Sequence, residues 1–241
     1  KDIVFDGGDL SSFVDSVHAA DNLDSGLLRI EPATYRFSPL DAANMPDSYH
    51  AAMANVSDVT IEGNGATFLF TDALRGGLRF VNSESLTLQN LTVDYDPVPF
   101  TQGVLTDVSP DQETMTIDLD ANYPSLAHEM FSKASDVWAS VHNPDGSFVG
   151  ELKATGTPRK MFSSIDAIGD RRFRLSLRRG ISKEGLKKSN RLTIVARNHK
   201  TALTFGGVKR PKVQNVTVHS SGGSAFSFPQ CDSPRIVDSY I

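Results

Sequence analysis

Apolar and polar positions follow two rhythms along this chain. Leu10, Phe13, Val14 and Val17 recur at helical spacing, which predicts one amphipathic helix over Leu10–Asn22 with Asp9 or Ser11 near its start. Leu27–Phe37 alternates every second residue, as a strand does, with Pro32 interrupting it. Beyond it helical spacing nearly vanishes. Short β-branched and aromatic runs separated by Gly, Asn, Asp and Ser then predict an all-β chain.

A repeated frame organises those runs. Phe80, Asn90, Leu91, Thr92 and Val93 recur 125 residues later as Phe205, Asn215, Val216, Thr217 and Val218, with Leu88 falling on Val213. Phe228 with Ile236–Ile241 repeats the frame 23 residues after Phe205, and Met53 with Val59–Gly63 precedes Phe80 by 27. Periods of this size are those of a stacked β-solenoid, in which each repeat is one coil. Val59, Ile61, Leu86, Leu88 and Val213 are expected to stack inward, while Asn90, Asn215 and Asp238 suit left-handed turns after the strands.

The offset of 125 is too long for one coil, so about one hundred residues are expected between two coils. Six candidate strands occupy that stretch: Gly103–Val108, Thr114–Leu119, Val137–His142, Phe148–Lys153, Arg172–Leu177 and Arg191–Arg197. Turn signals such as Asn143-Pro144-Asp145-Gly146 separate them, which predicts a small antiparallel barrel or sandwich. Trp138, alternating with Val137 and Ala139, is expected in its core, and Cys231 is expected to be a small buried hydrophobe. The domain reading is a cap and first coils over 1–96, an inserted module over 97–200, and continuing coils over 201–241.

Composition removes several classes. Hydrophobic residues make up 39% of 241, ordinary for a globular chain. One cysteine excludes a disulfide scaffold and a cysteine-built zinc site, and no apolar run reaches the ~20 residues of a membrane span. Net charge is −5, but 17 of the 24 Lys/Arg fall within residues 150–212, against four acids there. That marks an anion-binding surface or two oppositely charged parts docked together, with Arg172, Arg174 and Arg178 on one outer face. The basic residues lack a recognition helix or a pattern of stacking aromatics, so no nucleic-acid partner is expected, nor a membrane.

Candidate chemistry centres on two carboxylates. Asp94 and Asp96 sit two apart on a strand, hence on one face with Cα atoms about 6.5–7 Å apart. Glycoside hydrolysis uses two carboxyl groups ~5 Å apart for retention or ~6.5–9.5 Å for inversion. They serve equally as solvated residues bracing the turn before Pro97. Gln102, Arg197 and His199 flank the same junction and are candidate sugar ligands, or simply part of a polar linker. Gly63-Asn64-Gly65 reads as a turn, since a dinucleotide loop would need a third Gly and a helix. Asp118–Glu129 carries Tyr123 where a calcium loop needs Gly, and the histidines lack metal-site spacing, so no metal or cofactor is implied.

The segment Asp94–Gly103 reads Asp-Tyr-Asp-Pro-Val-Pro-Phe-Thr-Gln-Gly. It resembles the passage from a coil into an inserted barrel in pectin-lyase-like right-handed parallel β-helix proteins, and Val56–Thr67 is similar to their early coils. The nearest group is the β-helical α-1,3-galactosidases of glycoside hydrolase family 110. The resemblance implies a right-handed parallel β-helix with an N-terminal capping helix, an inserted β-barrel, and an exported (secreted or periplasmic) carbohydrate-active enzyme. It also implies an oligo- or polysaccharide substrate, with the acidic catalytic pair expected in coils beyond Ile241. Little or no glycosidase activity is therefore expected of these 241 residues alone, whose last coil needs further coils or an oligomeric partner to cover it. Two other readings remain: a lyase on uronate-containing polysaccharides, for which the basic stretch speaks, and a non-catalytic glycan-binding or structural β-helix.

Overall fold

The computed structural model describes residues 2–23, 26–40, 49–152, 161–183 and 185–241. Contacts divide the chain into two compact units, Lys1–Asp96 with His199–Ile241, and Pro97–Asn198. Before the division come β1 (Ile3–Phe5), α1 (Leu10–Asp21), β2 (Leu27–Ile30), β3 (Thr34–Phe37), β4 (Tyr49–Ala54), β5 (Thr60–Phe70), β6 (Gly76–Val81) and β7 (Thr87–Tyr95). The second unit holds β8 (Phe100–Val108), β9 (Thr114–Leu119), α2 (Glu129–Lys133), β10 (Asp136–His142), β11 (Phe148–Leu152), β12 (Phe162–Ala167), β13 (Arg172–Leu177) and β14 (Arg191–Arg197). The first unit resumes with β15 (Leu203–Gly206), β16 (Lys212–Val218), β17 (Phe226–Ser227) and β18 (Arg235–Val237).

The first unit is parallel throughout. One sheet runs β1-β2-β5-β7-β16-β18, with β3 also paired to β5, and the other runs β17-β15-β6-β4. Leu88 lies opposite both Ile61 and Val213, and Phe80 opposite both Met53 and Phe205, so the repeat offsets are the pairing register. Val59, Ile61, Leu86, Leu88 and Val213 are fully buried. Phe80, Phe205 and Phe228 stack with centroids 5.4 and 5.1 Å apart and ring planes within 16° and 7°. Each repeat turns at residues with positive φ: Asn55, Asn82, Gly207 and Gln230 at one corner, Asp58, Ser85, Arg210 and Ser233 at the next.

A third corner holds Asn90, Asn215 and Asp238 at φ of 55°, 49° and 46°. For Asn90 and Asn215 it falls inside β7 and β16 rather than after them, because pairing resumes beyond the bend. Opposite Asn90, β5 skips register between Glu62 and Ala66, and Gly63 passes so close that a Cβ there would lie 2.4 Å from the Asn90 carbonyl oxygen. A polar ladder ties this corner. Asn215 Nδ2 donates to Asn90 Oδ1 at 2.7 Å, and Asn90 Nδ2 donates to both Glu62 oxygens at 2.8 and 2.9 Å. Burial acts to raise the Glu62 carboxyl, but the Asn64 N–H and the Asn90 and Gln89 amides donating to it hold it below its usual range.

The amphipathic helix ends at Asp21, with Asn22 as its cap and Asp9 accepting from the Ser12 N–H at 2.9 Å. It buries Leu10, Phe13, Val17 and Ala20. Phe13 meets Phe5 and Phe68 edge-on at 5.6 and 5.2 Å, closing an aromatic cluster with Tyr35 and Phe37.

Among the described residues, the second unit is one antiparallel sheet of seven strands, ordered β11-β10-β14-β8-β9-β13-β12. Its buried face carries Leu105, Ile117, Ala139, Leu175 and Ile194. Lys153, expected to close the β11 strand, lies outside the described residues. Two expectations are corrected. Val137, Ala139 and Val141 fill the buried face of β10, so Trp138 points the other way, half-buried opposite Val195. Cys231 is also half-buried, its Sγ 3.0 Å from the Phe205 carbonyl oxygen.

Candidate functional site

The carboxylate pair sits at the end of β7. Leu91, Val93 and Tyr95 face the core, which leaves Asp94 on the outer face and Asp96 exposed just beyond the strand. Both carboxylates are engaged. Asp94 Oδ1 accepts from the buried Ser220 hydroxyl and from the Tyr95 N–H at 2.8 Å. Asp96 forms an ion pair with Arg36. Arg36 lies opposite Leu69, itself opposite Asp94, so the guanidinium reaches over β5, two strand spacings of ~4.8 Å each. Both side chains of that pair are more than half exposed, at 54% and 57%. Such a brace is worth about 0–1 kcal/mol.

The other sequence-predicted residues are divided between the units. His199 belongs with Asp94 and Asp96, and has a left-handed backbone at φ 55°. Gln102 and Arg197 belong to the antiparallel unit. There Gln102 Nε2 donates to Thr193 Oγ1 at 3.1 Å, and Arg197 ends β14 opposite Asp136. Arg36 and Ser220 escaped the sequence reading. Ser220 was within reach of it, because carrying the 125-residue offset past Val218 places His219 on Asp94 and Ser220 on Tyr95.

One buried titratable group lies nearby in the fold. His50 is fully buried, with Nδ1 2.8 Å from the Gly76 carbonyl and Nε2 3.1 Å from the Asp72 amide. These partners assign the proton to Nδ1, which donates, while Nε2 accepts. Burial pushes its pKa down to about 4, so the ring is neutral and its role is to satisfy two backbone groups. Among the described residues, no group of three or more His, Cys, Asp or Glu could hold a metal ion.

Clefts open on the parallel unit, and two are lined by described residues of its repeats. The larger, about 600 Å³, runs along the outer face of the β4-β6-β15-β17 sheet, bounded by Arg79, Asn82, Gly207 and Gln230. Arg79 lies 5.6 Å from the Tyr49 ring centroid, and the Tyr49 hydroxyl is 3.1 Å from Thr204 Oγ1. The second, about 420 Å³, lies where Ser85, Thr87, Arg210, Lys212, Ser233 and Arg235 meet. Neither cleft is lined by a carboxylate. Their walls offer amide, hydroxyl, guanidinium and ammonium donors, the equipment of binding rather than of acid–base cleavage.

No family model matches the chain. The chain is similar to alpha-1,3-galactosidase B from Akkermansia muciniphila, at 25% identity over 223 residues. The match covers 83% of this chain and 27% of that protein, so the chain spans about a quarter of its relative's length.

Proposed function

We propose that this chain is a carbohydrate-active protein of glycoside-hydrolase type, built as a right-handed parallel β-helix with an inserted antiparallel module and engaging galactose-containing glycans outside the cytoplasm. The similarity to a galactosidase along 83% of the chain carries this reading. The repeated corners and the parallel registers at offsets of 27, 125 and 23 support the β-helix. The long cleft with Arg79, Asn82 and Gln230 supports an extended, hydroxyl-rich ligand, since its amide and guanidinium groups can both orient and hold sugar hydroxyls.

For hydrolysis, one protonated carboxyl would donate to the leaving glycosidic oxygen while a second carboxylate takes a proton from attacking water or attacks the sugar itself. Asp94 and Asp96 are the candidates for this pair, with His199 of the same unit as a candidate sugar ligand. Their engagement with Ser220 and Arg36 favours bracing, so the expected behaviour is glycan binding with little turnover. The test is to measure saturable binding and hydrolysis of galactose-terminated oligosaccharides and of p-nitrophenyl α-galactoside. Binding that survives Asp96→Asn with negligible hydrolysis supports the reading. Robust turnover lost in both Asp94→Asn and Asp96→Asn would make the pair catalytic, and absence of any galactoside binding would remove the carbohydrate reading.

A further inference from the structure

The smaller cleft on the parallel unit has a charge pattern that the glycan reading does not require. Its walls are two columns of stacked repeat positions. Ser85, Arg210 and Ser233 form the first, all with positive φ at the same corner. Thr87, Lys212 and Arg235 form the second, two residues further on and paired in parallel register, Thr87 opposite Lys212 and Lys212 opposite Arg235. Neighbouring strands lie ~4.8 Å apart, so the Lys212 and Arg235 side chains leave adjacent rungs of one sheet. Like charges directly opposite on neighbouring strands destabilise a sheet. Here neither cation has a carboxylate partner among the described residues.

Arg210 is held in place beside them. Its Nη2 donates to Glu84 Oε1 at 2.6 Å and to Ser85 Oγ at 2.8 Å. Lys209 Nζ stands 3.8 Å from the other Glu84 oxygen. The neighbouring acids are Glu84, shared by two cations, Asp232, which accepts from the Ser233 hydroxyl at 2.8 Å, and Asp58, on the rung beside Ser85 at the same corner. None of these carboxylates pairs with Lys212 or Arg235, and those two cations line the cleft together with three hydroxyl side chains. An anion seated there would meet donors from both columns and relieve the repulsion between Lys212 and Arg235.

We propose that this cleft binds an oxyanion substituent, a sulfate ester or a uronic carboxylate, carried by a glycan. The glycan half of the proposal rests on the carbohydrate reading above; the anion half rests on the cleft alone. It deepens that reading by making the parallel unit selective for acidic over neutral galactosides.

The test uses the whole chain and the double variant Lys212→Gln/Arg235→Gln, titrated at low salt with galactose, galactose 6-sulfate, galacturonic acid and inorganic sulfate. The expected result is binding of a charged sugar about tenfold tighter than galactose, equivalent to ~1.4 kcal/mol, with the preference lost in the double variant and screened by salt. A preference for the sulfated over the carboxylated sugar, or the reverse, identifies the substituent. The variant is also expected to melt no lower than the parent, because it removes two facing cations. Equal affinity for charged and neutral sugars, or a preference that persists in the variant, overturns the cleft while leaving the carbohydrate reading intact. Binding of inorganic sulfate that the variant abolishes, with no sugar bound, keeps the anion site and overturns its glycan assignment.

Discussion

Phe205 and Ile194 are both fully buried strand residues, yet their neighbours differ in kind. Phe205 lies between Phe80 and Phe228, the same residue type from the repeats on either side. Ile194 lies between Ala139 and Thr101, two unlike residues on antiparallel neighbours. The parallel unit therefore stacks equivalent positions into columns, and whatever one position requires its neighbours in the column require too. The antiparallel unit gives each position its own surroundings. A column transmits an error along the repeat axis, whereas an antiparallel sheet confines it to adjoining strands.

The deepest break in that contrast is Phe205→Ala. It removes the middle ring of the column and is expected to cost about 3–5 kcal/mol, with lost amide-exchange protection spreading to β6 and β17 while β8–β14 keep theirs. Ile194→Ala is the paired change, and protection losses beyond β8, β10 and β14 would erase the distinction.

His50 sharpens the comparison through pH. Above its ordinary 6.5 the ring is neutral in folded and unfolded chains alike. As pH falls from 6.5 to about 4, the unfolded chain takes up a proton that the buried ring refuses, so stability is lost through that window. The full difference approaches about 3 kcal/mol. Urea melts of the parent and His50→Gln at neutral pH and near pH 4 should show a steeper fall in the parent. Parallel falls would contradict burial as the cause.

A smaller effect distinguishes corner geometry from ladder bonding. Asn90→Ala puts a residue that tolerates the left-handed region less well than Asn at φ 55° and removes the amide shared by Glu62 and Asn215, with an expected cost of about 1–3 kcal/mol. Asn90→Gly adopts the same φ without a Cβ penalty and loses the amide, so thermal melts should place it between the parent and Asn90→Ala. Equal melting temperatures for the two variants would assign the corner to the ladder alone.

Legibility in the sequence followed the same division. Columns announce themselves as repeats, which is why the registers of Phe80 with Phe205 and of Leu88 with Val213 follow from residue spacing alone. The six strands expected between them were legible from alternation, but β12 was not. Its Phe162–Ala167 segment buries Phe162 and little else, as an edge strand does, so the apolar rhythm is absent. Trp138 was misplaced because alternation says which residues share a face but not which face is the core. The partners of Asp94 and Asp96 depend on neighbours 126 and 60 residues away, and one of them, Arg36, lies upstream of the repeats that residue spacing reveals. Lys212 ends the basic stretch and Arg235 lies outside it, so spacing alone does not join them, and only the register places the two side by side.

The proposed glycan engagement is assigned to the columns of the parallel unit. Backbone amide shifts recorded while a galactose-terminated oligosaccharide is titrated into the chain test it most directly. Saturable shifts are expected at Arg79, Asn82, Gly207 and Gln230, which bound the larger cleft, with residues 97–198 unaffected. Shifts confined to β8–β14, or none at saturating sugar, would contradict it.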